Sequence, residues 1–314
     1  MRRVRFRPQD LVEPFVIEEV AAPVPGPGQL LVDTEVVGAS LGLVRMLRGG
    51  AAAAGPGGEV PGPGGEMVGR VVALGAGVEG FRVGDRVGGV VFENVHAQSV
   101  LAVPAMVTAV PPQVGSAEAL ALVRGGLVAL SALRAGRFER GESVLVTAAA
   151  SGAGHLAVQL ARALGAGRVV AAVGSAGKAD FVRGCGADEV VLYGQDTWGD
   201  PVDLVLDGVG GELVQRGVDA LAPHGRLVAF SAGGGTVDAG GLLGGLKSVI
   251  GFSIGPISRQ QPELIERRRA ELWDLHAAGH LRPAYEALPL DRIAEAVELI
   301  ESRRNHGRVL LRTA

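Results

Sequence analysis

The segment Val144-Leu145-Val146-Thr147-Ala148-Ala149-Ala150-Ser151-Gly152-Ala153-Gly154 constrains this chain more than any other. An apolar, β-branched run passes through small residues directly into a helical pattern, Leu156, Leu160, Ala163 and Leu164, which Gly165 stops as a C-terminal glycine does. Small residues are needed where a pyrophosphate approaches the backbone and accepts hydrogen bonds from N–H groups at the positive end of a helix. A glycine pattern alone is weak evidence in a chain with 50 glycines among 314 residues. Its weight comes from its setting: beyond it lie strands over 168–173, 189–193, 202–207 and 225–230, with helices over 178–184 and 212–221 between them. Such alternation specifies a parallel, doubly wound sheet, and 247–254 supplies a sixth strand.

The region before this block has a different rhythm. Short strands over 15–20, 29–37, 66–74 and 85–91 are separated by Pro25-Gly26-Pro27-Gly28, Gly75-Ala76-Gly77 and Val83-Gly84-Asp85, the punctuation of a small, mostly antiparallel β-domain. A Gly/Ala/Pro tract over 48–65 has no periodicity and reads as a mobile loop, and 116–135 reads as one helix. After the sheet come a helix following Pro262, a second beginning at Asp291 and a final strand over 308–312. The expected architecture is α/β in two domains, 1–118 with 259–314 and 119–258, with a ligand cleft between them.

Charge and cysteine content narrow the function. With 30 Lys+Arg against 33 Asp+Glu, and no basic run longer than Arg267-Arg268-Arg269, no electrostatic footprint for nucleic acid or an anionic membrane exists. Apolar runs stop short of the roughly 20 residues a membrane span needs, and no apolar stretch backs the arginines of residues 1–10 as in a signal peptide. The single cysteine, Cys185, forms no internal disulfide and leaves no cluster for structural zinc; a reducing cytoplasm fits.

Dinucleotide folds that take NAD place an acidic residue about 20 residues beyond the glycine turn, on the ribose 2′-hydroxyl. Here the second strand runs out as Val173-Gly174-Ser175-Ala176-Gly177-Lys178 with no carboxylate. An acid would repel a 2′-phosphate, whereas a hydroxyl and an ammonium attract one, so NADPH is the expected cofactor. Lys178 is one of only two lysines, and Tyr193 ends the third strand beside the same edge, where its hydroxyl is expected to reach the phosphate.

Taken in order, several stretches resemble the medium-chain dehydrogenase/reductase superfamily, in its zinc-independent quinone oxidoreductase type. They are Pro25-Gly26-Pro27-Gly28-Gln29-Leu30, Pro63-Gly64-Gly65-Glu66-Met67-Val68-Gly69, Gly80-Phe81-Arg82-Val83-Gly84-Asp85, the 148–154 turn, Leu206-Asp207-Gly208-Val209-Gly210-Gly211 and Asn305-His306-Gly307-Arg308. The resemblance implies a GroES-like catalytic domain, a Rossmann domain, NADPH and a homodimer formed through the edge strand near 247–254. It also implies a cofactor site of Ala150, Ser151, Gly152, Ala153 and Gly154 at the turn, Gly174, Ser175, Lys178 and Tyr193 at the 2′-phosphate, Val209, Phe230 and Ser231 at the riboses, Phe252 and Ser253 at the nicotinamide, and Asn305 in the closing tail.

Zinc members carry Gly-His-Glu where this chain has Gly64-Gly65-Glu66, with cysteines absent here, so no metal is expected. His276 and His280 are at i, i+4 spacing, but Gly279 ends the helix between them. The family's Val-Asn-Pro and Gly-Leu-Thr-Ala-Tyr read Ala39-Ser40-Leu41 and Gly126-Leu127-Val128-Ala129-Leu130, so polar groups usual near the hydride are missing. Ser40, His96 and Arg124 are the candidate replacements. The expected activity is metal-free hydride transfer from NADPH to a quinone or to the β-carbon of an α,β-unsaturated carbonyl, with His96 or solvent supplying the final proton. The alternative is an NADPH-binding sensor or interaction protein with little turnover. A methyltransferase on a Rossmann-like sheet is disfavoured, because the ribose hydroxyls of S-adenosylmethionine want the missing carboxylate.

Overall fold

The computed structural model describes residues 1–7, 10, 13–49, 61–230 and 233–313. The chain forms two compact units, Met1–Arg124 with Tyr285–Ala314, and Gly125–Ala284. The first begins with β1 (Arg2–Phe6), β2 (Phe15–Glu19), β3 (Leu30–Gly38), α1 (Leu41–Gly49), β4 (Pro63–Leu74), β5 (Arg86–Glu93), β6 (Ser99–Ala102), β7 (Val107–Ala109) and α2 (Ser116–Leu120), which runs into a π-helical turn, Ala121–Gly126. The second holds α3 (Leu127–Ala135), β8 (Ser143–Val146), α4 (Gly154–Ala163), β9 (Arg168–Val173), α5 (Ala179–Gly184), β10 (Glu189–Leu192), β11 (Val202–Asp207), α6 (Glu212–Asp219), β12 (Leu221–Ala229), α7 (Ala239–Gly245), β13 (Ser248–Gly251), α8 (Ile254–Gln260) and α9 (Pro262–Ala277). The chain then re-enters the first unit with β14 (Tyr285–Pro289), α10 (Ile293–Glu301) and β15 (Arg308–Arg312).

In the first unit a seven-stranded sheet runs β14-β15-β3-β4-β5-β7, with β6 also paired to β3, and every pairing except β14 with β15 is antiparallel. Its core gathers Leu30, Val32, Met67, Val87 and Val91 from the strands and Leu43, Ile293 and Ala296 from α1 and α10. In the second unit six parallel strands are ordered β10-β9-β8-β11-β12-β13. β9 and β11 are buried almost without interruption, as strands covered by helices on both faces must be, and so they read as continuous apolar runs rather than alternations.

Three departures from the sequence reading have local causes. The return to the first unit comes at Tyr285, not at 259: α9 buries Ile265 and Leu272 and ties Glu271 to Arg134 of α3, which keeps it in the parallel-sheet unit. The ends of the 48–65 tract belong to α1 and β4, and residues 50–60 lie outside the described residues. Finally, the stretch 116–135 is not one regular helix, because the π-helical turn interrupts it at Gly125-Gly126. That 20-residue helical stretch is long and apolar enough to cross a membrane by composition, yet 67% of its most apolar window is buried inside the protein, as in a core helix.

Arg226 on β12 locks the end of the parallel sheet at which β8 begins, opposite the dinucleotide turn. Its guanidinium donates to both carboxylate oxygens of Glu142, at 2.7 and 2.6 Å, and to the carbonyls of Gly136 and Arg137, at 2.7 and 2.9 Å. A lysine cannot reproduce this planar fork. Arg226→Met leaves Glu142 and the carbonyls of Gly136, Arg137 and Asp203 without this donor and is expected to cost about 3–5 kcal/mol. Thermal unfolding should show a midpoint lower by roughly 6 °C or more, and Arg226→Lys should recover only part of it.

Candidate active site

The turn between β8 and α4 is the most tightly built part of the second unit. Ala148 takes a positive φ of 49°, a conformation costly for any residue with a Cβ, and the turn is pinned on three sides. The Ala148 N–H donates to Tyr193 Oη at 2.8 Å, the Ala149 N–H to the Ala172 carbonyl at 3.3 Å, and the Gly154 N–H to Ser151 Oγ at 3.0 Å. A Cβ on Gly154 would lie 2.0 Å from the Ala148 carbonyl oxygen, and one on Gly125 would lie 2.9 Å from the Gly152 carbonyl oxygen. Only hydrogen fits at either place, so the backbone of residues 150–154 is brought bare to the start of α4. This is a cradle of the size and donor type that a pyrophosphate requires.

Neighbouring loops are held by one buried acid that sequence reasoning did not single out. Asp207, at the end of β11, accepts from Thr147 Oγ1 (2.8 Å) and from the N–H groups of Val209 (3.3 Å) and Gly210 (2.9 Å), while Gly208 donates to Thr147 Oγ1 (2.9 Å). Val209 is thereby fixed beside the turn. Phe230 follows β12 with its ring against Gly208, where a Cβ would come within 2.9 Å of Phe230 Cζ. Phe252 is buried beyond β13, its N–H bonded to the Ala229 carbonyl at 2.9 Å, and Ser253 is exposed at the start of α8. Ser231 lies outside the described residues.

At the end of β9, Gly174 and Ser175 are exposed and Lys178 follows one turn later, its N–H bonded to the Ser175 carbonyl at 3.2 Å. A Cβ on Gly174 would rest 3.6 Å from the Tyr193 ring. Tyr193 has a structural role that the sequence did not announce: its hydroxyl oxygen accepts from the Ala148 N–H and props the turn. Asn305, in the first unit, donates from Nδ2 to the Gly307 carbonyl at 2.9 Å, shaping the approach to β15.

His155 and Gln159, one turn apart on α4, are further residues the sequence reading passed over. Ala284 N–H donates to His155 Nε2 at 3.0 Å, so the proton sits on Nδ1 and is given to the Ser151 carbonyl at 2.8 Å. Gln159 exchanges two hydrogen bonds with the backbone of Arg282. The helix that opens the cradle therefore also grips the segment just before the chain leaves the unit. Burial pushes the His155 imidazole down to about 4, keeping it neutral.

The first unit carries a polar cluster at the junction of β3, β4 and β15. Glu66 is buried, and although burial pushes its carboxyl up, Arg308 and Arg124 together hold it below the usual range. Arg308 Nη2 meets Glu66 Oε2 at 2.7 Å and its Nη1 donates to the Ala39 carbonyl, while Arg124 Nη1 stands 3.6 Å from Glu66 Oε1. Gly38 makes the pairing possible, since a Cβ there would lie 2.4 Å from Arg308 Nη2. Ser40 caps α1, accepting from the Leu43 N–H at 3.4 Å, a role that a helix unforeseen in the sequence gives it.

His96 is 2% exposed, with its ring 5.5 Å from that of Phe6. Burial pushes it down to about 4. An enclosed imidazole that stays neutral at neutral pH has no imidazolium proton to give, so His96 is corrected from proton donor to packing residue. His276 and His280 do not pair either: α9 ends at Ala277 and Gly279 takes φ +78°. Among the described residues, no three His, Cys, Asp or Glu side chains are grouped to hold a metal ion.

An antiparallel sheet unit joined to a parallel, doubly wound dinucleotide-type sheet defines an oxidoreductase architecture, and comparison with known proteins agrees. The alcohol dehydrogenase GroES-like domain matches residues 26–103 and the zinc-binding dehydrogenase domain matches 185–311. The chain is 30% identical to the human synaptic vesicle membrane protein VAT-1 homolog, over 93% of this chain and 80% of that one. It is 28% identical to the mycocerosic acid synthase-like polyketide synthase of Mycolicibacterium smegmatis over 99% of this chain, which spans only 15% of that protein. Among solved structures, the quinone oxidoreductase of Pseudomonas syringae superposes with a TM-score of 0.87 at 27% identity, covering 99% of both chains. A mycobacterial structure complexed with NADPH gives 0.87 at 29% identity, covering 99% of this chain and all of that one. The chain belongs to the medium-chain dehydrogenase/reductase superfamily, among its zinc-independent, quinone oxidoreductase-like members. Its parallel-sheet unit is the NAD(P)-binding domain of that superfamily.

The two enclosed histidines set a pH dependence. Each binds a proton at about 6.5 when unfolded and only at about 4 when folded, so between those values the unfolded chain holds more protons and stability falls as pH drops. Thermal midpoints measured from pH 7 down to 4.5 should decline across this window. In the double variant His96→Gln/His155→Gln the slope should flatten, whatever the starting stability.

Proposed function

We propose that the chain is an NADPH-dependent, metal-free oxidoreductase whose acceptor is a quinone or an α,β-unsaturated carbonyl. One observation carries the preference for NADPH over NADH: the end of β9 beside the cradle offers Gly174, Ser175 and Lys178 and no carboxylate. The NADPH complex of the mycobacterial structure and the quinone oxidoreductase from Pseudomonas support the reading. When bound, the cofactor supplies a hydride from C4 of its nicotinamide. The N–H groups of Gly152 and Ala153 would hold the pyrophosphate, Ser175 and Lys178 the 2′-phosphate, and Val209, Phe230 and Phe252 the apolar faces of the ribose and nicotinamide. Negative charge arriving on the acceptor spreads to a carbonyl oxygen, which needs only a few hydrogen bonds, here from Ser40 Oγ, Arg124 or backbone N–H groups. Solvent supplies the one proton that balances the two-electron reduction, since His96 is enclosed and neutral.

NADPH oxidation followed at 340 nm with a panel of quinones and enones is expected to depend on acceptor. Tight NADPH binding without acceptor-dependent oxidation would instead establish a sensor or interaction protein. Lys178→Ala should lower the NADPH-to-NADH affinity ratio by about tenfold or more, and an unchanged ratio removes the 2′-phosphate assignment.

The same reading includes a homodimer and a cytoplasmic setting, the latter in keeping with the free Cys185 thiol, which burial pushes up to about 11. β13 is the outermost strand of its sheet and is largely exposed, and Leu243, Leu246 and Val249 present apolar side chains beside it. Exposed edges of this kind pair with a second copy or aggregate. Sedimentation equilibrium at micromolar concentration should report a dimer, and the double variant Leu243→Asp/Val249→Lys should shift it to monomer; a monomeric parent chain rejects the dimer.

A further inference from the structure

Within the second unit, the imidazole of His155 joins the dinucleotide turn to Ala284, 129 positions further along the chain. It is fully buried on the first turn of α4, with the Phe181 ring of α5 at 6.0 Å. A neutral imidazole has one N–H and one lone pair, and its partners decide which nitrogen carries the proton. The Ala284 N–H donates to Nε2, so Nδ1 is the donor, and it stands 2.8 Å from the Ser151 carbonyl oxygen. In the other tautomer two hydrogens would face each other across the Ala284 contact, and a lone pair would face the Ser151 oxygen. Residues 281–284 are held to α4 by more than this one bond. Leu281 is buried, the Arg282 N–H donates to Gln159 Oε1 at 2.6 Å, and Gln159 Nε2 donates to the Arg282 carbonyl at 3.2 Å. Pro283 stiffens the backbone between the two ties.

Ser151 is where this contact meets the cofactor site. Its carbonyl and the Gly152 N–H belong to one planar trans peptide unit, so they point in opposite directions. The carbonyl points down α4, where it accepts from the His155 N–H at 3.2 Å as well as from Nδ1. The Gly152 N–H is thereby turned out of the N-terminal end of the helix, toward the place assigned above to the pyrophosphate. A hydrogen bond accepted at a carbonyl also polarises the N–H of the same unit and strengthens it as a donor. We propose that His155 is a positioning residue for cofactor binding: the Ala284 N–H selects the imidazole tautomer that holds the Ser151 carbonyl, and this aims and strengthens the Gly152 N–H that receives the pyrophosphate. Docking of residues 282–284 and binding of the dinucleotide therefore favour each other, as reciprocal linkage requires. The inference rests on the proposed cofactor site and adds to it a side chain that touches no cofactor atom.

Calorimetry on the full chain compares NADPH and NADH, which share the pyrophosphate, across three substitutions. His155→Leu removes both side-chain hydrogen bonds. His155→Asn places an amide N–H where Nδ1 stands and restores the Ser151 contact, whereas His155→Gln reaches toward Ala284 instead. His155→Leu and His155→Gln should each bind both dinucleotides about tenfold less tightly, with the NADPH-to-NADH ratio unchanged, and His155→Asn should recover most of the loss. In steady-state kinetics the loss should fall on KM for NADPH, with kcat retained. Unchanged affinity in His155→Leu overturns the proposal, and so does a His155→Asn variant that binds no better than His155→Leu. A second measurement needs no variant to fold: in the parent chain, hydrogen exchange of a peptide spanning 281–284, in which Pro283 has no amide, should slow about tenfold at saturating NADPH. Exchange that NADPH leaves unchanged overturns the proposal. A parent chain that binds neither dinucleotide rejects the cofactor site and this proposal with it. A parent chain that binds both, with affinities indifferent to residue 155, rejects the proposal alone.

Discussion

The 2.0 Å that would separate a Gly154 Cβ from the Ala148 carbonyl oxygen is the constraint on which the rest of the second unit depends. Because α4 starts hard against the end of β8, the turn between them has room for only small side chains, and its N–H groups at Ala148, Ala149, Ser151 and Gly154 are tied to neighbouring oxygens. Everything near it maintains that closeness. Tyr193 supports Ala148 in its positive φ, Asp207 ties the following loop to Thr147, and His155 carries the order of Ser151 down α4 to Ala284. Each of these polar side chains is used up in holding backbone, so the cradle is preorganised before any ligand arrives. Preorganisation of this kind removes ordering costs from binding.

The first unit shows the opposite economy. Its Glu66–Arg308 pair is enclosed and hydrogen-bonded, yet the cluster retains a surplus cation at Arg124. His96, by contrast, has been absorbed into structure as a neutral ring against Phe6.

Much of the parallel unit was legible because its signals are local. Strands covered on both faces must be continuously apolar, and β9 and β11 run as the sequence indicates. Gly165 and Gly279 end their helices with positive φ as read. The π-helical turn was not legible: Gly125-Gly126 inside an apolar run looks like a tolerated weakness in a helix, and only its packing against Gly152 explains it. Nor was the place of α9, since an amphipathic helix after a completed sheet can cover either unit, and the choice rests on Ile265, Leu272 and the Arg134–Glu271 pair.

The sequence by itself determined the class of fold, the dinucleotide turn and the absence of a carboxylate after the second strand of the parallel sheet, because each depends on residue type at short spacing. Tertiary structure decided what the polar side chains do. Tyr193 reaches the Ala148 N–H of the turn, and burial keeps His96 neutral. Glu66 meets Arg308 across 242 positions of chain. Hydrogen-bond partners and burial are properties of surroundings assembled from distant segments, so no pattern of neighbours in the chain could have announced that Glu66 would be held by Arg308 and Arg124 together.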